Sequence, residues 1–210
     1  RIGQRDRFFI STKTPMGPAP ADPAAELETA ARRLKVQTID LVLVHNLAGT
    51  DKYLPALLAA QEAGRIRYIG ISTSSERQYA ELAEAMRRYP LDFIQVNYSL
   101  ANRAAEETLL PLAQERRMAV MINVPFGGRN PNQNVFGKLT GPLPDFAAAF
   151  DATSWAQVAL KYVVSHPAVT VAIPGTTRVR HLLDNQGAGK GRLPDAAARK
   201  ALEAYWDSLA

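Results

Sequence analysis

A parallel α/β fold is predicted by three observations. Short runs rich in Val, Ile and Phe recur along the chain, helical patterns separate them, and the two kinds alternate strictly at roughly 25 to 35 residue intervals. The strand runs are FFIST (Phe8 to Thr12), IDLVLV (Ile39 to Val44), IRYIGIS (Ile66 to Ser72), DFIQVN (Asp92 to Asn97), AVMINV (Ala119 to Val124) and VTVAI (Val169 to Ile173). Most lack clean apolar–polar alternation, as buried parallel strands do.

Helices are predicted at Ala24 to Leu34, Tyr53 to Ala63, Glu76 to Arg88, Ala104 to Arg117 and Ser154 to Ser165, with a last one at Asp195 to Leu209. In the first of these, Leu27, Ala30, Ala31 and Leu34 recur at spacings of three and four, which puts them on one face. Asp22-Pro23, Asp51, Ser75 and Thr153-Ser154 are start signals, while Gly64 and Pro90 are stop signals. Long Gly- and Pro-rich loops follow the first strand (Thr14 to Pro23) and the fifth (Pro125 to Asp145). Loops longer than about 15 residues inside a compact domain are usually functional or disordered.

Two architectures share this rhythm, a doubly wound open sheet and an eight-unit (β/α) barrel. The first calls for a phosphate fingerprint after a strand, and the chain has neither G-x-G-x-x-G nor a P-loop. The second calls for eight units in about 250 residues. Six units in 210 residues fall two units short of it. The chain opens on Arg1 and runs almost directly into a strand, so it reads as a piece of something longer.

Composition narrows the classes. With 47% hydrophobic and 21% charged residues the chain has the balance of a folded globular protein. It has no cysteine, so disulfides and Cys-ligated metals are excluded. Its apolar runs fall far short of the ~20 residues of a membrane helix. The net charge of +5 is dispersed, and its tightest run is only Arg178 to His181. That pattern suits a solvated surface better than a nucleic-acid track.

Candidate chemistry gathers at the C-terminal ends of strands. Lys13 follows the first strand and His45 the second; on consecutive strands of a parallel barrel these tips converge. Taken singly, each has a plain reading as a solvated lysine or a structural histidine. Gln95 and Asn97 share one side of the fourth strand, and buried amides need partners, in a ligand or in neighbouring groups. The hydroxyl run Ser72 to Ser75 suits helix capping or a polar ligand. In IPGTTRVRHLLDN (Ile173 to Asn185), Gly175, Thr176, Thr177 and Arg178 lead into a helix, which suits a phosphate site or a plain turn.

The segments ISTK, IDLVLVHN, GRIRYIGIS, DFIQVNYSL, PFGG and VAIPGTTRVRHLLDN, in this order from about residue 7 to 187, resemble the aldo-keto reductase family. The resemblance implies a (β/α)8 TIM barrel, of which this chain supplies about six β–α units as one N-terminally incomplete domain over residues 1–210. On barrel arithmetic the absent part is roughly 70 to 80 residues. It implies NADPH, or NADH, as cofactor and hydride transfer to or from the carbonyl of a small aldehyde or ketone. A non-catalytic nicotinamide-binding or regulatory subunit on the same barrel is the alternative. No nucleic-acid or membrane partner is expected, the oligomeric state is left open, and the cytoplasm is the default compartment, with the periplasm or export as the alternative if an N-terminal leader exists.

The family's chemistry uses a tyrosine as general acid, a lysine that lowers its pKa, an aspartate that holds the lysine, and a histidine that orients the carbonyl. By resemblance Lys13 is that lysine and His45 that histidine. Ser72 and Gln95 match positions that bind the nicotinamide carboxamide, with Thr73 where asparagine is common. Asn123 falls where many members stack a tyrosine on the nicotinamide. Pro125, Phe126 and Gly127 match the turn beside the pyrophosphate. Gly175, Thr176, Thr177 and Arg178 match the adenosine-phosphate loop, and Asp184 and Asn185 match residues near the adenine. Many members that prefer the phosphorylated cofactor carry a lysine at Gly175, so here that preference rests on Arg178. None of the seven tyrosines stands at the position of the catalytic one.

Overall fold

Leu41 to Val44 lie wholly out of water, because every residue of their strand is aliphatic except one aspartate near its start. That strand is one of six that alternate with helices in the computed structural model, which describes residues 7–17, 22–128 and 134–209. Two compact units divide the chain: Arg1–Gln95 with Arg116–Met118, and Val96–Glu115 with Ala119–Ala210.

The first unit holds β1 (Ser11–Lys13), α1 (Pro23–Leu34), β2 (Ile39–Val44), α2 (Thr50–Glu62), β3 (Ile66–Ser72), α3 (Tyr79–Arg88) and the start of β4 (Phe93–Asn97). Neighbouring strands pair in parallel, and one row of the ladder reads Lys13, Leu43, Gly70, Phe93. Carboxylates pin this register from the N-terminal ends of the strands. Asp40 accepts from the Ile10 N–H at 2.8 Å and from Arg67 at 2.9 Å. Asp92 accepts from the Ile69 N–H at 2.9 Å and from Gln61 at 2.8 Å. Asp22 caps α1 through the Ala24 and Ala25 N–H groups, with Pro23 at its first position.

Several expected boundaries move, each for a visible reason. β1 starts at Ser11 rather than Phe8, because Asp40's side chain takes the Ile10 N–H. The Phe9 ring instead packs beside Tyr68 and Phe93, at centroid distances of 6.1 and 6.0 Å. Asp51 does not cap α2, which starts at Thr50 behind left-handed Gly49; the Asp51 carboxylate accepts from the Tyr89 hydroxyl at 2.8 Å. The segment expected as one helix from Glu76 splits into a 3-10 turn (Glu76–Gln78) and α3. Ser75 makes no side-chain cap there; its own N–H is held by Thr73 Oγ1 at 3.1 Å.

The second unit holds a 3-10 turn (Ala104–Glu106), α4 (Leu109–Glu115), β5 (Ala119–Asn123), α5 (Val135–Lys138), a longer 3-10 stretch (Asp145–Phe150), α6 (Trp155–Val164), β6 (Val171–Ala172), α7 (Val179–Gly187) and α8 (Ala196–Ser208). β5 and β6 pair in parallel. The helix expected from Ala104 breaks before α4, whose first turn takes Pro111, a residue with no N–H to satisfy. β5 stops one residue early at Val124, which has a φ of 49°. β6 keeps two residues of the expected five as strand. The loop from Pro125 contains the unexpected α5, capped by Asn134; residues 129–133 of that loop, and 18–21 of the earlier one, lie outside the described residues.

Buried Arg199 ties α8 into this unit. Its guanidinium donates to Tyr98 Oη at 2.6 Å, to Glu106 at 2.9 Å, to Ser165 Oγ at 3.0 Å and to the Tyr162 carbonyl, while stacking on the Tyr162 ring. A buried cation is tolerated when it is paired this fully.

Gly70 sits where β3 meets its neighbours most closely. A Cβ there would lie 2.2 Å from the Phe93 carbonyl oxygen and 2.8 Å from Leu43 Cδ2. Gly70→Ala is therefore expected to destabilise the protein by about 1 to 3 kcal/mol, as overpacking does. A lowered urea midpoint would register it, and an unchanged midpoint would contradict the close approach.

Candidate active site

Lys13 ends β1 level with Leu43, and the chain then turns through buried Thr14. The Thr14 N–H donates to the Leu43 carbonyl at 2.9 Å, and Thr14 Oγ1 accepts from the His45 N–H at 3.1 Å. Lys13 and His45 thus leave adjacent strands at the same end. Burial lowers the Lys13 pKa. The His45 pKa is lowered by burial first and by the Lys13 charge second, against a hydrogen bond to the Thr14 backbone that raises it. A lowered value keeps the imidazole neutral through physiological pH, able both to donate and to accept.

Ser72 and Gln95 face each other across the β3–β4 ladder. Ser72 Oγ donates to the Val44 carbonyl at 3.2 Å and accepts from the Asn46 N–H at 3.2 Å, so it clips the turn that carries His45. The Thr73 hydroxyl is engaged by Gln78 at 2.7 Å and by Ser75. Gln95 is 2% exposed and lies on the next strand, level with Ser72.

In the second unit, Val124 and Gly127 both have positive φ, and the Gly127 N–H closes a turn onto the Val124 carbonyl at 2.9 Å. Pro125 is buried inside that turn and Asn123 is half-buried at the end of β5. A cavity of about 420 Å³ opens beside it, lined by Phe126, Gly175, Thr176, Asp184 and Asn185, and by Phe136, Trp155 and His181. That size is within the ordinary range of ligand pockets. Phe126 and Phe136 present tilted rings 5.0 Å apart, and Trp155 is fixed by its indole N–H on the Gly141 carbonyl at 2.7 Å. The Asp184 carboxylate accepts from Ser154 at 2.8 Å and from Gln157 at 2.8 Å, bracing α7 against the start of α6. Around Gly175 a Cβ would meet nothing within 4 Å. Thr177 and Arg178 are exposed, and Arg178 precedes α7 without capping it. Aromatic faces, open backbone at Gly175 and a helix N-terminus form a donor set suited to a nucleotide's base and phosphates.

Phe136, Trp155 and His181 were not singled out by sequence reasoning. His181 carried a usable signal, since it stands three and four residues before Asp184 and Asn185 on one helix face. Phe136 carried none, because only the folding of the long loop brings it to the cavity, and Trp155 opens α6 with nothing local to mark it. Among the tyrosines, burial raises the pKa of Tyr53, Tyr98 and Tyr162, and a hydrogen bond to Asp51 raises that of Tyr89. These environments are the reverse of what a phenolic acid working near neutrality needs. Among the described residues no cluster of metal-ligating side chains occurs, and no helix is long and apolar enough to cross a membrane.

With this geometry in place, comparison with known proteins identifies the class. The chain belongs to the aldo/keto reductase family, whose sequence profile matches residues 2–205. It is 27% identical to "Probable aldo-keto reductase 1" of Glycine max, over 84% of this chain and 58% of that protein. It is 26% identical to an NADP(+) aldo-keto reductase of Schizosaccharomyces pombe, over 97% of this chain and 71% of that protein. The crystal structure of an aldo-keto reductase from Klebsiella pneumoniae in complex with NADPH superposes with a TM-score of 0.75 at 26% identity, covering 97% of this chain and 72% of the other. The chain therefore spans well under the full length of these relatives, and 58% of the soybean protein.

The coupling of Lys13 to His45 is directly measurable. In an NMR titration His45 is expected to titrate below the ordinary histidine value of about 6.5. Lys13→Met, which removes a neighbouring positive charge, is expected to raise that value. An unchanged His45 titration would mean the two groups do not interact.

Proposed function

We propose that this chain carries the lysine–histidine pair and the cofactor cradle of an NADPH-dependent aldo-keto reductase, built on a single barrel of eight β–α units. The substrate class is a small aldehyde or ketone. The observation that carries the reading is the cavity beside Phe126: residues from three separate segments line it, and five of them are ones the family resemblance assigns to the cofactor. The NADPH held by the Klebsiella relative and the NADP(+) in the name of the fission-yeast relative support the same cofactor.

When bound, the cofactor supplies a hydride at nicotinamide C4. The chain's own residues do the rest. Buried Gln95 would hold the carboxamide edge, while Ser72 keeps the neighbouring turn in place. Phe126, Phe136 and Trp155 offer apolar faces to the adenine, and the Gly175–Thr176 backbone with the start of α7 receives phosphate. Arg178 is assigned the phosphate that distinguishes NADPH from NADH. His45, held neutral by burial and by Lys13, donates a hydrogen bond to the substrate oxygen and polarises the carbonyl. The Lys13 cation lowers the pKa of the phenol that delivers the proton to that oxygen. That phenol is none of Tyr53, Tyr89, Tyr98 and Tyr162.

Lys13→Met is expected to cut turnover of NADPH with an aldehyde by about 10²-fold or more, as loss of acid–base support does, with cofactor affinity nearly unchanged. Retained turnover would remove Lys13 from the mechanism. NADPH binding with no turnover by the wild-type protein would favour a non-catalytic cofactor-binding subunit. Arg178→Ala is expected to weaken NADPH about tenfold and NADH little, on the scale of one charge-assisted hydrogen bond. Equal loss for both would place the distinguishing phosphate elsewhere.

A further inference from the structure

The turn carrying His45 is strained. Asn46 (φ 51°, ψ 42°) and Leu47 (φ 56°) are consecutive non-glycine residues in the left-handed region. Such a pair persists only where surrounding bonds over-determine it. Here they do. Thr14 Oγ1 accepts from the His45 N–H, and the His45 carbonyl accepts from the Ala48 N–H at 3.0 Å. The Asn46 N–H donates to Ser72 Oγ, and the Leu47 carbonyl accepts from Thr50 Oγ1 at 2.8 Å. The Asn46 carbonyl accepts from Gln78 Nε2 at 3.0 Å, a bond that reaches back from beyond β3.

Gln78 is itself aimed. Its Oε1 accepts from the Thr73 hydroxyl at 2.7 Å, which leaves Nε2 as the end that faces Asn46. Buried Thr73 is in turn tied to β4, its N–H donating to the Gln95 carbonyl at 2.8 Å. A continuous chain of bonds thus runs from the strand end at Gln95 through Thr73 and Gln78 to the residue after His45.

We propose that Gln78 is a positioning residue for His45, acting through the Asn46 carbonyl. The proposal rests on the reading of His45 as the group that orients the substrate carbonyl. Gln78→Met keeps the length and neutrality of the side chain and removes both the donor and the acceptor. With NADPH and benzaldehyde as probes, kcat is expected to fall about tenfold, the scale of one hydrogen bond, with the Kd for NADPH within about twofold of wild type. The His45 ring resonances are expected to shift, and its titration to move up toward the ordinary histidine value as the turn opens to water. A loss of stability alone would produce neither that split between kcat and Kd nor a change confined to His45. Unchanged kcat and unchanged His45 resonances would overturn the proposal. So would parallel losses in kcat and NADPH affinity, because the effect would then run through Thr73 to Gln95. If wild type reduces no aldehyde and the His45 resonances still move in Gln78→Met, the positioning bond stands and the catalytic reading of His45 falls.

Discussion

Everything in the first unit depends on the parallel ladder that places Lys13, Leu43, Gly70 and Phe93 in one row. Its centre is β2, whose aliphatic residues are buried, so a slip of one residue would turn their side chains to the opposite face. Gly70 lets the Phe93 backbone and the Leu43 side chain close in on β3. With the row fixed, the chain leaves β1 at Lys13 and β2 just before His45, and the two side chains share an end of the sheet. The lowered pKa values of both follow from that shared, partly buried end.

The two units carry different kinds of side chain at their candidate sites. In the first, the strand ends bear a lysine and a histidine whose pKa values burial lowers, and a buried glutamine. In the second, a loop and two helices surround a cavity with aromatic faces and a helix start. The first part is held by backbone register, the second by side chains such as Asp184 and Trp155 that brace one element against another.

Long apolar runs were legible in the sequence, and side-chain competition for backbone groups was not. β2 and β3 have the boundaries their composition predicts, because buried aliphatic runs between turn residues admit few alternatives. β1 was misplaced since Phe8 and Phe9 look like strand, whereas Asp40 takes the N–H that would have extended the ladder. Ser75 and Asp51 looked like helix caps, and both are used elsewhere. That Lys13 and His45 stand at neighbouring strand ends was legible from the apolar runs before them. Asn46, Leu47 and Gln78 were not, because a left-handed turn held by a glutamine 32 residues on leaves no local pattern. That the Ser72 hydroxyl is spent on the turn was equally hidden, since its partners lie 26 and 28 residues away.

The central claim is that hydride passes from a nicotinamide held by this cradle to a carbonyl carbon near His45. Incubating the protein with NADPH deuterated at C4 and an aldehyde, then measuring the mass of the alcohol, tests it most directly. The account predicts one deuterium on the former carbonyl carbon in wild type and a sharply reduced yield of that product with His45→Ala. Label that stays on the cofactor, with no alcohol formed, would contradict it.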